Sequence, residues 1–459
     1  MLKWLLLLSF IPVAASMELQ ILPQNFMLRT DDNSTIQLTF TSNVTGLQDV
    51  FLTCADESIC TVSPRFLTAD FSAENRHTVQ FNATVHGVFL GITKLTVSVY
   101  ERQWSDYTIK ILRSDWDHTK SKIFMGVMVL FVPTITFMMG TQLKIAKILG
   151  IWRRPFAPCI SLLCQFGIMP LVAYTLAKYV LYPEGAAIQL ALFAAGTCPG
   201  GGKSSFWTII YGGNLDLSIS LTFAQNIFAI AAMPVWIGTL GREFSTNSVS
   251  IPFVDILEAL AFLLVPTTAG MIFIHYKAAL YERIHGWIKK ISWVMTIIML
   301  AVGLYVNFYI VYLITWRIIL CGCLLPWSGY IIAFIVGTIF RMELRDKITI
   351  SIETGLQHVS IAMVILFVTF PEPEVDLALV VLFVHVMMTD KPLLIGYGCM
   401  LLYRKFTSKP AEDLENEKKV PIKETFTEIT LADKAQDKPL ATIYGSNVTL
   451  TNERINTIF

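Results

Sequence analysis

Residues 197–205 read Thr197-Cys-Pro-Gly-Gly-Gly-Lys-Ser-Ser205, in the middle of an otherwise apolar run from about 187 to 211. A run of that length suits a helix crossing the hydrocarbon core, which needs about 20 residues. Pro199 removes a backbone donor and the three glycines that follow weaken the helical turn, so the helix must break here. Irregular backbone at membrane depth survives only against protein or a water-filled cavity. The stretch therefore predicts a span interrupted midway, with amides and carbonyls left free to face a ligand. A second interruption is Glu353-Thr-Gly-Leu-Gln-His358, which sets an acid, an amide and an imidazole inside the apolar run 348–369.

Around these two, further runs lie near 123–141, 156–178, 216–239, 252–274, 288–313, 318–340 and 377–402, which makes about nine helical spans. Composition agrees: 54% of residues are hydrophobic and 15% charged, against about a quarter charged in soluble domains. The net charge of +1 says nothing about partners and gives no sign of nucleic-acid binding. Basic residues are retained beside spans on the cytosolic side. They fill alternate loops: Lys144, Lys147, Arg153 and Arg154; Lys277, Arg283, Lys289 and Lys290; Arg341, Arg345 and Lys347; then Arg404, Lys405 and Lys409. The intervening connections hold single basics, and the last, Pro371-Glu-Pro-Glu374, is acidic. This predicts a multi-pass protein of the plasma membrane with the N-terminal region outside and the C-terminus in the cytosol.

Residues 1–16, with Lys3 ahead of the apolar run Trp4 to Ala15, read as a signal peptide. Residues 17–118 alternate in Thr35–Phe40, Thr78–Val85 and Thr93–Tyr100, which predicts a small β-sandwich. Asn33, Asn43 and Asn82 head glycosylation acceptor triplets; Asn447, in the tail, shows how little that pattern means alone. Cys54 and Cys60 are the only cysteines of this region, and an oxidising compartment favours joining them. A transport domain is expected over 119–405 and a disordered cytosolic tail over 406–459.

Broken helices in comparable positions of two halves point to a transporter's central site. An ionisable residue such as Lys203 inside a span marks function by default. The motifs resemble those of the sodium/bile acid cotransporter family: Cys198-Pro-Gly-Gly at the first break, Glu353-Thr-Gly-Leu-Gln357 at the second, with Leu217-Ser-Ile-Ser-Leu-Thr222 and Cys164-Gln-Phe-Gly-Ile-Met-Pro170 between and before them. This chain resembles a member that carries an extra N-terminal extracellular domain. The resemblance implies inverted repeats of five helices, forming a core and a panel, with the two broken helices crossing; nine spans fit a member without the first helix. It implies one sodium site at Ser204, Ser205, Ser218, Thr222 and Glu353, and a second at Glu353, Gln357 and Gln165. Sodium is then the coupling ion and an organic anion, such as a bile acid or steroid conjugate, the substrate; no other cofactor is implied. Hydroxyl, amide and carboxylate oxygens suit a hard cation.

Three positions depart from the family's pattern, which usually has Asn where Ser205 stands, a small residue at Lys203 and Asn at His358. Lys203 can replace a sodium and pair with Glu353, hold the anionic substrate, or snorkel to the cytosolic interface. His358 can face the substrate and titrate near neutral pH, or simply pack. Asp390-Lys391 reads as a local neutralised pair.

Gly202-Lys-Ser204 invites a nucleotide-binding reading, but the Walker pattern needs Gly at position 197, where Thr stands, and a preceding strand. No charged ring suggests a channel, and no triad or metal set suggests an enzyme. The remaining alternative is an uncoupled sensor or receptor whose N-terminal domain binds a ligand.

Overall fold

A computed structural model describes residues 17–42, 46–71, 78–99, 102–141, 143, 145–153, 155–244, 253–277, 287, 290–291, 294–295, 297–299 and 301–407. The signal-peptide assignment, Asn43, Asn447, the basic residues Lys144, Arg154, Arg283 and Lys289, and the tail from 408 lie outside them.

The alternating residues of the N-terminal region form two sheets facing each other. One has the order β1 (Met17–Leu22), β3 (Asn33–Ser42), β7 (Thr78–Gly87), β5 (Cys60–Ser63). The other runs β2 (Phe26–Arg29), β9 (Arg102–Leu112), β8 (Gly91–Val99), β4 (Gly46–Cys54), β6 (Phe66–Phe71). All pairings are antiparallel except β2 with β9. Period-two patterning puts Ile36, Leu38, Phe40, Leu52, Leu95 and Ile109 in a shared, solvent-free core. Cys54 and Cys60 are bonded, with Cα atoms 6.0 Å apart, and so tie β4 of one sheet to β5 of the other. Asn33 and Asn82 lie exposed on β3 and β7 of the same sheet, Asn33 within 2.8 Å of His86 Nδ1.

Helix α1 (Asp115–Gly140) begins well before the expected start near 123, because Ser114 caps it and Asp115 and Asp117 favour its first turn. After a short helix over Ile145–Trp152 come α2 (Phe156–Leu163), a π-helical turn Cys164–Ile168, and α3 (Met169–Tyr179), the last three together one long apolar helix. They are followed by α4 (Ala186–Thr197), α5 (Ser204–Ile210), α6 (Leu215–Gly238) and α7 (Phe253–Tyr276). After the partly described stretch before residue 307 come α8 (Trp316–Ile339), α9 (Leu344–Gly355), α10 (Val359–Thr369), α11 (Glu374–Thr389) and α12 (Lys391–Thr407). Among the described residues five helices are long and apolar enough to cross a membrane: Asp115–Gly140, Phe156–Tyr179, Leu215–Gly238, Trp316–Ile339 and Glu374–Tyr403. This is a multi-pass membrane protein.

The last of these spans is not continuous, as the sequence reading took it to be. Pro392 has no N–H to continue the ladder, and the helix breaks at Asp390. The freed carbonyls find side-chain donors: Trp327 Nε1 to Met388 O at 3.0 Å and the Tyr330 hydroxyl to Thr389 O at 2.9 Å.

Helices α1 and α7 pack along one another, so closely that a Cβ on Gly140 would sit 2.0 Å from the Thr267 carbonyl oxygen. Helix α8 packs against both α9 and α11, and α11 also lines α4 and α10. The β-domain is fastened to the helices at one junction. Arg113, 5% exposed, meets Asp376, 0% exposed, through Nη2–Oδ1 at 2.8 Å and Nε–Oδ2 at 3.1 Å, and its guanidinium stacks on Tyr309 at 5.0 Å. Lys110 pairs with Glu374, and His118 lies 3.2 Å from Glu372.

Candidate ion and substrate site at the helix crossover

The two predicted breaks meet. Helix α4 ends at Thr197, Cys198 turns extended (φ −67°, ψ 151°), and α9 ends at Gly355 with Leu356 also leaving the helical region (φ −95°, ψ 89°). The two extended pieces pair antiparallel at Gly200 and Gln357. Gly201 N donates to Leu356 O at 2.5 Å and His358 N donates to Pro199 O at 2.8 Å. Each break thus satisfies part of the other's backbone, which a buried site demands.

Helix α6 lies alongside and supplies a polar face. Ser218, Thr222 and Gln225 stand at spacings of four and three, on one side of the helix. Gln225 Oε1 accepts from Gly200 N at 2.6 Å, and its Nε2 donates to Ser161 Oγ at 3.0 Å. Gly200 is required here, since a Cβ would stand 2.5 Å from Glu353 Oε1 and 2.6 Å from Gln225 Oε1.

Glu353 is fully buried. The Thr222 hydroxyl donates to Oε1 at 2.6 Å and the Ser218 hydroxyl to Oε2 at 3.2 Å. Ser204 Oγ lies 3.4 Å from both Ser218 Oγ and Thr222 Oγ1, and Ser205 Oγ lies 3.2 Å from Ser218 Oγ. The five expected oxygen ligands of the first site therefore form one connected cluster around a carboxylate. Among the described residues no basic side chain forms an ion pair with it.

Gln165 sits in the π-helical turn of the α2–α3 helix and donates Nε2 to Cys198 O at 2.6 Å. Its Oε1, and both side-chain polar atoms of Gln357, are buried with no protein partner. Of these atoms, Gln165 Oε1 and Gln357 Oε1 are oxygens of the kind a hard cation takes.

A cleft opens beside the cluster. Ser205, Thr222 and His358 form its wall on the crossover side, and Met139 of α1 with Leu263 of α7 forms the other. Phe223 and Asn226 of α6 also line it. The cleft thus joins apolar surface to the same hydroxyls that surround Glu353, and His358 is among its lining residues.

The placement of Lys203 goes against one of its three readings and corrects the expected Asp390–Lys391 pair. Its ammonium is 2.8 Å from Asp390 Oδ2 and does not pair with Glu353. Asp390 in turn does not pair with its neighbour Lys391; its second oxygen accepts from Trp207 Nε1 at 3.1 Å. Adjacent side chains do not face one another along a helix, whereas Lys203, at the N-cap of α5, and Trp207, one turn on, both reach Asp390. The sequence reading also passed over Gln225 and Ser161. The spacing of Gln225 from Ser218 and Thr222 was the signal that could have found it.

Residues 127–316 match the model of the Sodium Bile acid symporter family. The ileal sodium/bile acid cotransporter of Homo sapiens is 28% identical over 265 residues, 57% of this chain and 75% of that one. The hepatic sodium/bile acid cotransporter of Rattus norvegicus is 27% identical over 252 residues, 54% and 69%. The sodium-dependent organic anion transporter of Rattus norvegicus is 28% identical over 258 residues, 54% and 66%. Among solved structures, domains 4 and 5 of the S-layer protein SbsC overlap 21% of this chain and 53% of that one at 15% identity, with a TM-score of 0.17, too low to carry an argument.

Proposed function

We propose that this chain is a transporter of the Sodium Bile acid symporter family, whose model matches residues 127–316, and that it carries organic anions across the plasma membrane together with sodium. The observation that supports this most directly is the fully buried Glu353 carboxylate, ringed by hydroxyls instead of a basic side chain. A charge so placed is costly unless a cation compensates it. Sodium fits the donor set of Ser204, Ser205, Ser218, Thr222 and Glu353. Gln165 and Gln357, with Glu353, make the second site.

The anion occupies the neighbouring cleft, its apolar body against Met139, Leu263 and Phe223 and its charge toward His358 and the bound sodium. That arrangement couples the two solutes: each raises the other's affinity by the same factor. Bile acids or steroid conjugates, rigid apolar bodies with one anionic end, match this cleft chemistry.

Our reading is nine crossings, made of the five long helices, the broken pairs α4–α5 and α9–α10, α7, and the apolar stretch ending at Val306. They form inverted repeats, with the β-domain outside and glycosylated at Asn33, Asn43 and Asn82. The test is uptake of radiolabelled organic anions by cells expressing the chain, with external sodium or with choline in its place. Sodium-dependent uptake of a bile acid or steroid sulfate is expected. Surface-expressed protein with no sodium-dependent uptake across the panel would overturn the reading and favour a sensor.

A further inference from the structure

Lys203 precedes Ser204 directly, so its ammonium, carried on a flexible four-carbon stem, starts from the edge of the hydroxyl cluster. A positive charge moved to within about 10 Å of a bound cation, through a medium of effective dielectric about 20, weakens that cation's binding roughly tenfold. The ammonium is held elsewhere, 2.8 Å from Asp390.

Asp390 is itself held firmly. One carboxylate oxygen takes Lys203 and the other takes Trp207 Nε1, with Trp207 only 5% exposed and one turn from Lys203 on α5. The backbone on either side is pinned by Trp327 at Met388 O, Tyr330 at Thr389 O and Tyr211 at Leu393 O, the last at 2.6 Å. The break between α11 and α12 thus presents to Lys203 a fixed carboxylate other than Glu353.

We propose that Asp390 is a positioning residue: it draws the Lys203 charge away from the ion site, so that the cluster around Glu353 keeps its affinity for sodium. This rests on the sodium-site reading above. It follows that the lysine and the aspartate form a matched pair, and that the aspartate matters only while the lysine is present.

The test compares purified wild-type protein with three variants, reading the rise in melting temperature as sodium replaces potassium at constant ionic strength, and sodium-dependent anion uptake in cells. Asp390→Asn is expected to raise the half-saturating sodium concentration about tenfold. Lys203→Ala combined with Asp390→Asn should return it to within about twofold of wild type, and Asp390→Glu should stay near wild type. An unchanged sodium response in Asp390→Asn, or a double variant as weak as the single, overturns the inference. Should Asp390→Asn fail to fold, Lys203→Gln decides: an unchanged or lower half-saturation supports the inference, and a tenfold rise overturns it. A wild-type protein that melts alike in sodium and potassium refutes the sodium site itself and this inference with it, whereas a wild-type response that the variants do not alter refutes the inference alone.

Discussion

Among the described residues two carboxylates are fully buried, and their partners differ. Asp376, where the β-domain meets the helices, is met by Nε and Nη2 along one edge of the Arg113 guanidinium. Glu353, at the crossover, is met by the hydroxyls of Ser218 and Thr222. A carboxylate with a covalently attached cation beside it is a fastening: its partner cannot leave, and the two charges fix the β-domain on α11. A carboxylate with only hydroxyl donors, next to a cleft, is suited to a cation that comes and goes. Burial alone does not distinguish a structural charge from a functional one; the identity of the partner does.

The largest effect is expected at the junction. Arg113→Ala leaves Asp376 buried without its cation and should cost about 3–5 kcal/mol, seen as a lower melting temperature in detergent and reduced surface yield. Replacing the pair together, Arg113→Met with Asp376→Leu, should recover most of that loss. If Arg113→Ala alone melts like wild type, the pair is not a fastening and the contrast with Glu353 collapses.

At the crossover the opposite pattern is expected. Glu353→Gln keeps the shape and the capacity to accept from Thr222, so protein yield should stay near normal while sodium-driven uptake falls to background. Retained sodium-dependent uptake would remove Glu353 from the ion site. A smaller effect sharpens the comparison further. Gln225→Leu strips the Gly200 amide of its acceptor and should cost about 1–3 kcal/mol, with sodium half-saturation rising because the backbone that frames Glu353 loosens. A melt and an uptake curve identical to wild type would show that Gln225 does not frame the site.

The smallest energetic effect is expected on the β-domain surface, where exposed substitutions usually stay within about 0.5 kcal/mol. Enzymatic deglycosylation should speed the protein's migration on a gel, and changing Asn33, Asn43 and Asn82 together to Gln should abolish that shift without altering uptake. A shift that survives the triple change would contradict the placement of this domain outside the cell.

The local patterns were legible in the sequence because they depend on neighbours along the chain. Period-two alternation puts Leu38 and Phe40 inside a sheet, an apolar run makes α8, and Pro199 with its glycines must break a helix wherever that helix lies. The residue types at the two breaks, and their resemblance to a known family, were enough to single out Ser204, Ser218, Thr222 and Glu353. The start of α1 at Asp115 was missed because the polar first turn carries no hydropathy signal, and only its cap marks it.

The partners of the charges were decided by tertiary structure. Asp390 lies beside Lys391 in sequence yet pairs with Lys203, 187 positions away, because the break at Pro392 turns its side chain toward α5. Arg113 finds Asp376 across 263 positions, where no local rule could place it. Helical and strand periodicity act within a few residues, so the sequence determined where the chain bends, what each face offers and where it breaks. Coulombic and hydrogen-bond partners act through space, so which buried acid meets a basic side chain, and which meets only hydroxyls, was decided only when the breaks crossed and the helices packed.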